Sequence, residues 1–359
     1  MNATISSTRT IRPIIFWDGF PVCGLLVKKI ADEYKDNLVI LATRSKVPFP
    51  QLETELGHPI IYLDTANDIW KRKEEWADRN LVIHTGWRYH GWLKYDAYMK
   101  KRGAKIVGMV DNRYRGDLRQ WMGAIFFRLS LRKYFDAVLV PGKSGTQLMR
   151  FLGMLPSKIY TGLYGAYEGI FQETASIEVR NKEFLFVGQL IARKGIDMLV
   201  EAFTKYKKAG GTWTLRIVGD GPLASICNGE GIILESSALP YAVVKKMNSA
   251  RVLVLPSRDD NWGTVVCEAA ACGMQLITTA TVGASVDIVQ DGTNGAVLTE
   301  LDAEKLVSAF FQFERMSNAD LTRGSKISKE VATRHDSRAY YESFLKIVRD
   351  LFDSKEASK

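Results

Sequence analysis

Short apolar runs alternate with longer stretches of helical period along the whole chain. In the first half the runs are PIIFW (13–17), LVILAT (38–43), PIIYL (59–63), LVIH (81–84), KIVGMVD (105–111), AVLV (137–140) and KIYT (158–161). In the second half they are EFLFVG (183–188), TLRIVG (214–219), GIILE (231–235), VLVLP (252–256), QLITTA (275–280) and GAVL (295–298). Most are apolar throughout rather than alternating, which predicts strands of a parallel sheet covered on both faces. Between them, 22–35, 114–134 and 143–152 carry helical patterns, and SRAYYESFLKIVRDLF (337–352) predicts one long helix with an apolar stripe. The fold class is therefore α/β, with two doubly wound, Rossmann-like domains. Periodicity lapses over 164–182, where glycine and polar residues gather. The expected domains are 1–168 and 169–336, with 337–359 a C-terminal helix crossing back to the first.

Open α/β sheets bind ligands beyond the carboxyl ends of their strands, so the residues just after each run are the ones to inspect. After VLVLP comes SRDDNWGTVVCEAAACG (257–273). Asp260 lies in the loop, Gly263 at a helix entry, Thr264 and Val265 in its first turn and Glu268 one turn further in. Free amides at a helix start form an anion site, and glycine lets a phosphate approach them closely. A carboxylate such as Glu268 can accept two hydrogen bonds from a vicinal diol, as a ribose offers. Asp260 could hold hydroxyls of a second sugar, and a nucleoside diphosphate sugar is the group that fits between the two acids. FVGQLIARKGIDMLVEAF (186–203) offers Arg193, Lys194 and Gly195 at another helix start. Lys194 is a compact charge suited to a diphosphate.

A rival pattern exists. Gly219, Gly221 and Ala224 make a G-x-G-x-x-A, with Glu235 ending the next run, close to a dinucleotide fingerprint. It follows the second run of its domain rather than the first, and it leaves Asp260, Gly263 and Glu268 without a role.

Taken in order, FVGQL, ARKGIDMLVEAF, LRIVGDGPL, VLVLPS, DNWGTVVCEAAACG and GASVDIVQDGTNGAVL resemble glycosyltransferase family 4, retaining enzymes of the GT-B fold found in bacterial polysaccharide and lipopolysaccharide synthesis. The resemblance covers nearly all of 183–300. It implies two Rossmann-like domains facing a cleft. It also implies a sugar nucleotide as donor substrate with no separate cofactor, and transfer of a hexose with retention. The family's acid-x7-acid motif falls on Asp260 and Glu268. By this resemblance Glu268 binds ribose and Asp260 the donor sugar. Gly263, Thr264 and Val265 hold the phosphate, with Asn261 and Trp262 beside them, and Lys194 holds the diphosphate. Two positions depart from the pattern. The first acid is usually Glu, and Asp260 is one methylene shorter. Gln189 stands where the family often has Arg, leaving Arg193 to supply that charge. These departures keep alive an inactive sugar-nucleotide-binding scaffold of the same fold.

In the first half, FWDGFPVCGLLV (16–27) places Asp18 and Gly19 after the first strand, where the family's loop meets the donor phosphates and the acceptor. His84 and Asp111 end later strands and complete the expected acceptor side. The family often has a His where Asp111 stands, and Asp111 could accept the proton of an acceptor hydroxyl. The expected catalytic set is thus Lys194, Asp260 and Asp111. Residues 113–135 join Arg113, Arg115, Arg119, Arg128, Arg132 and Lys133 to Trp121, Met122, Ile125, Phe126 and Leu129, which share one helical side. That combination suits contact with anionic headgroups.

Charge sharpens the picture. Residues 1–170 hold 26 Lys/Arg against 16 Asp/Glu, and the remainder 23 against 24, so the net +9 sits in the first half. A basic first half suits a lipid-linked or otherwise anionic acceptor. No nucleic-acid-binding motif accompanies it, so no nucleic-acid partner is expected. The four cysteines lack zinc-ligand spacing and read as reduced thiols. No D-x-D occurs, and no metal is expected. The start, MNATISSTRTIRP, has no signal-type apolar segment, which predicts a cytoplasmic protein, peripheral on the inner membrane face if membrane-associated.

Overall fold

The computed structural model describes residues 10–45 and 49–353. Two compact units divide the chain: Met1–Tyr164 with Ser337–Lys359, and Gly165–Asp336.

The first unit is built on a parallel sheet of seven strands. They are β1 (Pro13–Trp17), β2 (Val39–Ala42), β3 (Ile61–Tyr62), β4 (Leu81–Thr85), β5 (Lys105–Met109), β6 (Ala137–Val140) and β7 (Ile159–Thr161), in the order β3-β2-β1-β4-β5-β6-β7. Every residue of β1, β2 and β6 is buried, as strands covered on both faces require. Trp92, Tyr95 and Met99 of the helix His90–Lys101 bury fully on one side of the sheet. The helix Ser337–Phe352 belongs to this unit. Its Asp350 accepts from the Tyr160 hydroxyl at 2.7 Å, its Ser343 hydroxyl donates to the Thr161 carbonyl at 2.7 Å, and its Phe344 meets Tyr34 edge to face.

The second unit repeats the plan with six parallel strands: β8 (Asn181–Val187), β9 (Thr214–Val218), β10 (Ile232–Glu235), β11 (Ala250–Leu255), β12 (Gln275–Thr279) and β13 (Gly295–Leu298). Their order is β10-β9-β8-β11-β12-β13. Strand order reverses between β8 and β11, which pair directly, Val252 on Phe184 and Leu253 on Leu185. Connections leave these two strands in opposite directions, so a crevice opens beyond their carboxyl ends. The first unit has the same reversal between β1 and β4.

Each of the thirteen apolar runs holds a strand, but three expectations are corrected. PIIYL is strand only at Ile61–Tyr62, where β3 meets β2 at the sheet edge, with no strand beyond it among the described residues. The stretch 22–35 is not one α-helix: Val22–Val27 is 3-10, followed by α-helix Lys28–Tyr34. Pro21 precedes it, and Gly24 lies so close under the Phe20 ring that a Cβ would sit 2.2 Å from Cε1. The stretch 114–134 is likewise divided. Asp117 caps its α-helical part, Leu118–Phe126, by accepting from the Gln120 amide at 2.8 Å. A π-turn, Phe127–Leu131, and a 3-10 turn, Arg132–Tyr134, follow.

Candidate functional site at the strand ends of the second unit

The loops after β8 and β11 meet at the point where strand order reverses. After β8 the chain passes Gly188, exposed Gln189 and a 3-10 turn, Ala192–Lys194, before the helix Ile196–Lys208. Gly195 joins turn to helix at φ 71°, and a Cβ there would lie 2.0 Å from the Pro256 carbonyl oxygen. Only glycine meets both conditions, left-handed backbone and contact with the loop after β11. The two loops are further tied by the Arg258 amide, which donates to the Arg193 carbonyl at 2.9 Å, and by a bidentate Arg258–Asp197 pair at 2.7 and 2.8 Å.

This arrangement places Lys194 against Asp260. Lys194 Nζ donates to Asp260 Oδ2, and both side chains are mostly buried, at 15% and 10% exposure. Arg193 lies on the open side, its Nη1 donating to the Asp259 carbonyl at 2.8 Å and standing 4.0 Å from Asp260 Oδ1. A residual positive charge therefore remains beside one satisfied carboxylate.

Asp260 is fixed from a third side. Its amide donates to the Thr281 carbonyl at 3.1 Å, and its carbonyl accepts from the Gly283 amide at 3.1 Å. The hydroxyls of Thr279 and Thr281 both donate to the Ser257 carbonyl at 2.6 Å. Gly283 admits the approach, because a Cβ would fall 2.0 Å from the Asn261 carbonyl oxygen. Sequence reasoning gave Ser257, Thr281 and Gly283 no role. Their part is tertiary, binding the loops after β11 and β12.

Gly263, at φ 84°, then opens the helix Thr264–Ala271 with no side-chain cap. The Val266 amide turns back to the Gly263 carbonyl at 2.9 Å. Among the described residues, the Thr264 and Val265 amides find no protein acceptor. One turn in, Glu268 is half-buried, and burial pushes its carboxyl up to about 7. No ion pair or side-chain hydrogen bond to it occurs among the described residues. Uncapped amides and a desolvated carboxylate without a cation form a set that a polyol with a phosphate would satisfy.

Two comparisons of sequence bear on this site. Residues 181–313 match the family described as Glycosyl transferases group 1. Those residues form a group 1 glycosyl transferase domain. An uncharacterized glycosyltransferase of Methanocaldococcus jannaschii is 26% identical over 178 residues, 46% of this chain and 48% of its own. TuaC of Bacillus subtilis, a glycosyltransferase named for teichuronic acid biosynthesis, is 30% identical over 42% of this chain and 35% of its own. The matched stretches thus span less than half of these relatives. In three dimensions the likeness runs further. The structure of Anabaena HepE in complex with UDP matches 94% of this chain and all of its own, with a TM-score of 0.75 at 14% identity. The architecture is that of GT-B glycosyltransferases.

Within this domain the donor-side candidates divide. Lys194, Arg193 and Asp260 converge, and Gly263, Thr264, Val265 and Glu268 follow on one helix entry. Gln189 is exposed after β8, its carbonyl accepting from Ile191. Asn261 is half-buried in the β11 loop. Trp262 is corrected: it is only 3% exposed and packs 5.4 Å from the His335 ring, so it supports the loop from beneath rather than lining it.

The dinucleotide alternative also fails on geometry. Gly219–Ala224 leads into a three-residue 3-10 turn, Ala224–Ile226, with no helix to receive a pyrophosphate. Glu235 is paired with both Arg216 and Lys246 and is not free to take a ribose. Glu235→Gln is therefore expected to leave nucleotide-dependent stabilisation unchanged, read by thermal shift, and NAD is expected to give no shift.

In the first unit, Asp18 follows β1 as expected. It accepts from the Thr43 hydroxyl at 2.7 Å and from the Tyr89 hydroxyl, while the Gly19 amide donates to Thr43 at 2.7 Å. Gly19 takes φ 61° to make this turn. Asp111, after β5, is hydrogen-bonded to Tyr164, whose phenol is held well above its usual value by burial and by that carboxylate. His84 is corrected. It is fully buried, stacked on Trp92 at 4.8 Å, with Nε2 3.1 Å from the equally buried Asp96. A side chain with no accessible surface cannot touch an acceptor. Burial raises the Asp96 carboxyl, opposed by His84.

Proposed function

We propose that this protein transfers a sugar from a nucleoside diphosphate sugar to a hydroxyl of a glycan or lipid-linked acceptor, with retention at the anomeric carbon and without a metal, in polysaccharide-related biosynthesis. The observation that carries this reading is the buried Lys194–Asp260 pair at the strand-order reversal, beside a glycine-led helix entry and desolvated Glu268. HepE has been solved with UDP, which supports the same ligand class here.

In this reading Glu268 accepts hydrogen bonds from the ribose diol. The Thr264 and Val265 amides take a phosphate, Lys194 and Arg193 face the diphosphate, and Asp260 takes hydroxyls of the donor sugar. The bond from the anomeric carbon to the diphosphate breaks, and a bond to the acceptor oxygen forms on the same face. The acceptor proton passes to the departing phosphate oxygen. No protein nucleophile is needed. The protein stabilises the charge that grows on the leaving diphosphate. Asp18 and Asp111 are the first unit's carboxylates assigned to the acceptor.

Release of nucleoside diphosphate from UDP-, GDP-, ADP- and dTDP-sugars in the presence of a chelator tests this reading. One nucleotide class is expected to be consumed, and magnetic resonance of the product is expected to show the donor's anomeric configuration. Binding without release would make the protein a sugar-nucleotide scaffold. No binding of any donor would overturn the reading.

A further inference from the structure

The first unit buries its apolar side chains well except on one element. Leu118, Trp121, Met122, Ile125, Phe126 and Leu129 are each 57% to 78% exposed, and in the described part of this unit the one other exposed large apolar side chain is Leu155, at 53%. At 100° per residue the five on the α-helix Leu118–Phe126 fall within an arc of roughly 140°, and Leu129 follows in the π-turn. The opposite side is the packed one. Ala124, Phe127 and Leu131 are buried, and Phe127 meets Trp87 at 5.0 Å. This helix therefore has an ordinary core face and, in addition, a second apolar face turned to water. A patch of this kind marks a surface that is covered in use.

The charge around the stripe decides what covers it. Arg115, Arg119, Arg128, Arg132 and Lys133 are all exposed, and Arg119 and Arg128 border the arc on its two sides. Between 113 and 133 the lone acid is Asp117, which is spent as the helix cap. Two copies of this chain meeting through the patch would bring their arginine rims together, which opposes self-association. Apolar side chains rimmed by cations, lying along a helix with no acid on its face, complement an apolar layer under negative headgroups. No helix among the described residues is long and apolar enough to cross a membrane, so this contact lies in the interface plane.

We propose that the face of Leu118–Leu129 seats this protein on an anionic phospholipid surface, with Trp121, Ile125 and Phe126 entering the acyl boundary and the flanking arginines meeting phosphates. The proposal stands independently of the donor assignment, because none of these residues belongs to the second unit.

Co-sedimentation of the full chain with vesicles tests it. Vesicles of phosphatidylcholine containing about 30 mol% phosphatidylglycerol are expected to bind the protein, and phosphatidylcholine alone to bind it at least about tenfold more weakly. Raising salt from about 0.1 to 0.5 M is expected to weaken binding but not abolish it, since the apolar part is not screened. Ile125→Asp/Phe126→Asp, exposed positions where an unchanged melting temperature is expected, should lower binding about tenfold or more. Arg119→Glu/Arg128→Glu should lose the preference for anionic vesicles. Val286→Asp, an exposed apolar position of the second unit, should bind as wild type. Undiminished binding by the Ile125/Phe126 variant would overturn the proposal. So would a wild type that ignores vesicles and sediments as a dimer which that variant splits.

Discussion

Glu268→Gln is expected to melt about 5 °C above wild type at pH 8 without nucleotide, and to lose the stabilisation that a nucleotide sugar gives. The two effects have one cause. Burial lifts the Glu268 carboxyl from 4.5 to about 7 with no cation to offset it. A raised carboxyl contributes stability in its protonated form. That contribution is complete below the unfolded value near 4.5 and is lost as pH rises through about 7. At pH 8 the loss is on the order of 2–3 kcal/mol, and the neutral amide avoids it. At pH 5 most of the gap closes, because the carboxyl of the unfolded chain is then near its own value of 4.5 and takes up the proton too. Binding carries the opposite sign. In the proposed complex ribose hydroxyls donate to the charged form and pull its pKa down, so a nucleotide is expected to bind more tightly as pH rises. A nucleoside diphosphate sugar has no group of its own titrating between pH 6 and 8. Its dissociation constant is therefore expected to fall about tenfold across that interval for wild type and to stay flat for Glu268→Gln. Calorimetric titration at several pH values checks this. A flat wild-type profile would remove Glu268 from the binding site.

Lys194→Ala is expected to lower turnover about 10²–10³-fold while weakening donor binding far less. Charge grows on the diphosphate only as its bond to the sugar breaks, so a cation placed there acts mainly in the transition state. The same change leaves Asp260, 7% exposed, without its partner, and a stability loss of about 3 kcal/mol is expected. Lys194→Ala/Asp260→Asn should regain much of that stability and none of the turnover. Comparing the two by thermal melt and steady-state kinetics separates the structural part of the pair from the catalytic one. Turnover of Lys194→Ala within about threefold of wild type would contradict the role given to Lys194.

Periodicity located every strand because a parallel sheet covered on both faces leaves the same uninterrupted apolar signature in each. It also placed Asp260 in the loop after a strand and Gly263 and Glu268 at the helix entry that follows, because those elements are contiguous in the chain. What it could not supply was the direction of single side chains. His84 and Trp262 sit at a strand end and a helix entry, as expected of site residues, but both point inward, His84 to Asp96 and Trp262 to His335. Residues whose work is to tie separate loops were equally hidden. The Ser257 carbonyl receives two threonine hydroxyls, from Thr279 at the end of β12 and from Thr281 in the loop after it, and nothing local to Ser257 announces it. The split of 114–134 is of the same kind. A π-turn at Phe127–Leu131 carries the chain on from the Asp117-capped helix, and neither its residue types nor their spacing marks it.

In the proposed function, the loops after β8 and β11, with the helix entry at Gly263, grip a nucleoside diphosphate sugar. The most direct test is the affinity of UDP-, GDP-, ADP- and dTDP-sugars for wild type and for Glu268→Ala, with a chelator present. Tight binding of one nucleotide class to wild type is expected, weakened about a hundredfold or more in the variant as the ribose loses both hydrogen bonds. Equal affinity of the two proteins, or no binding to either, would contradict it.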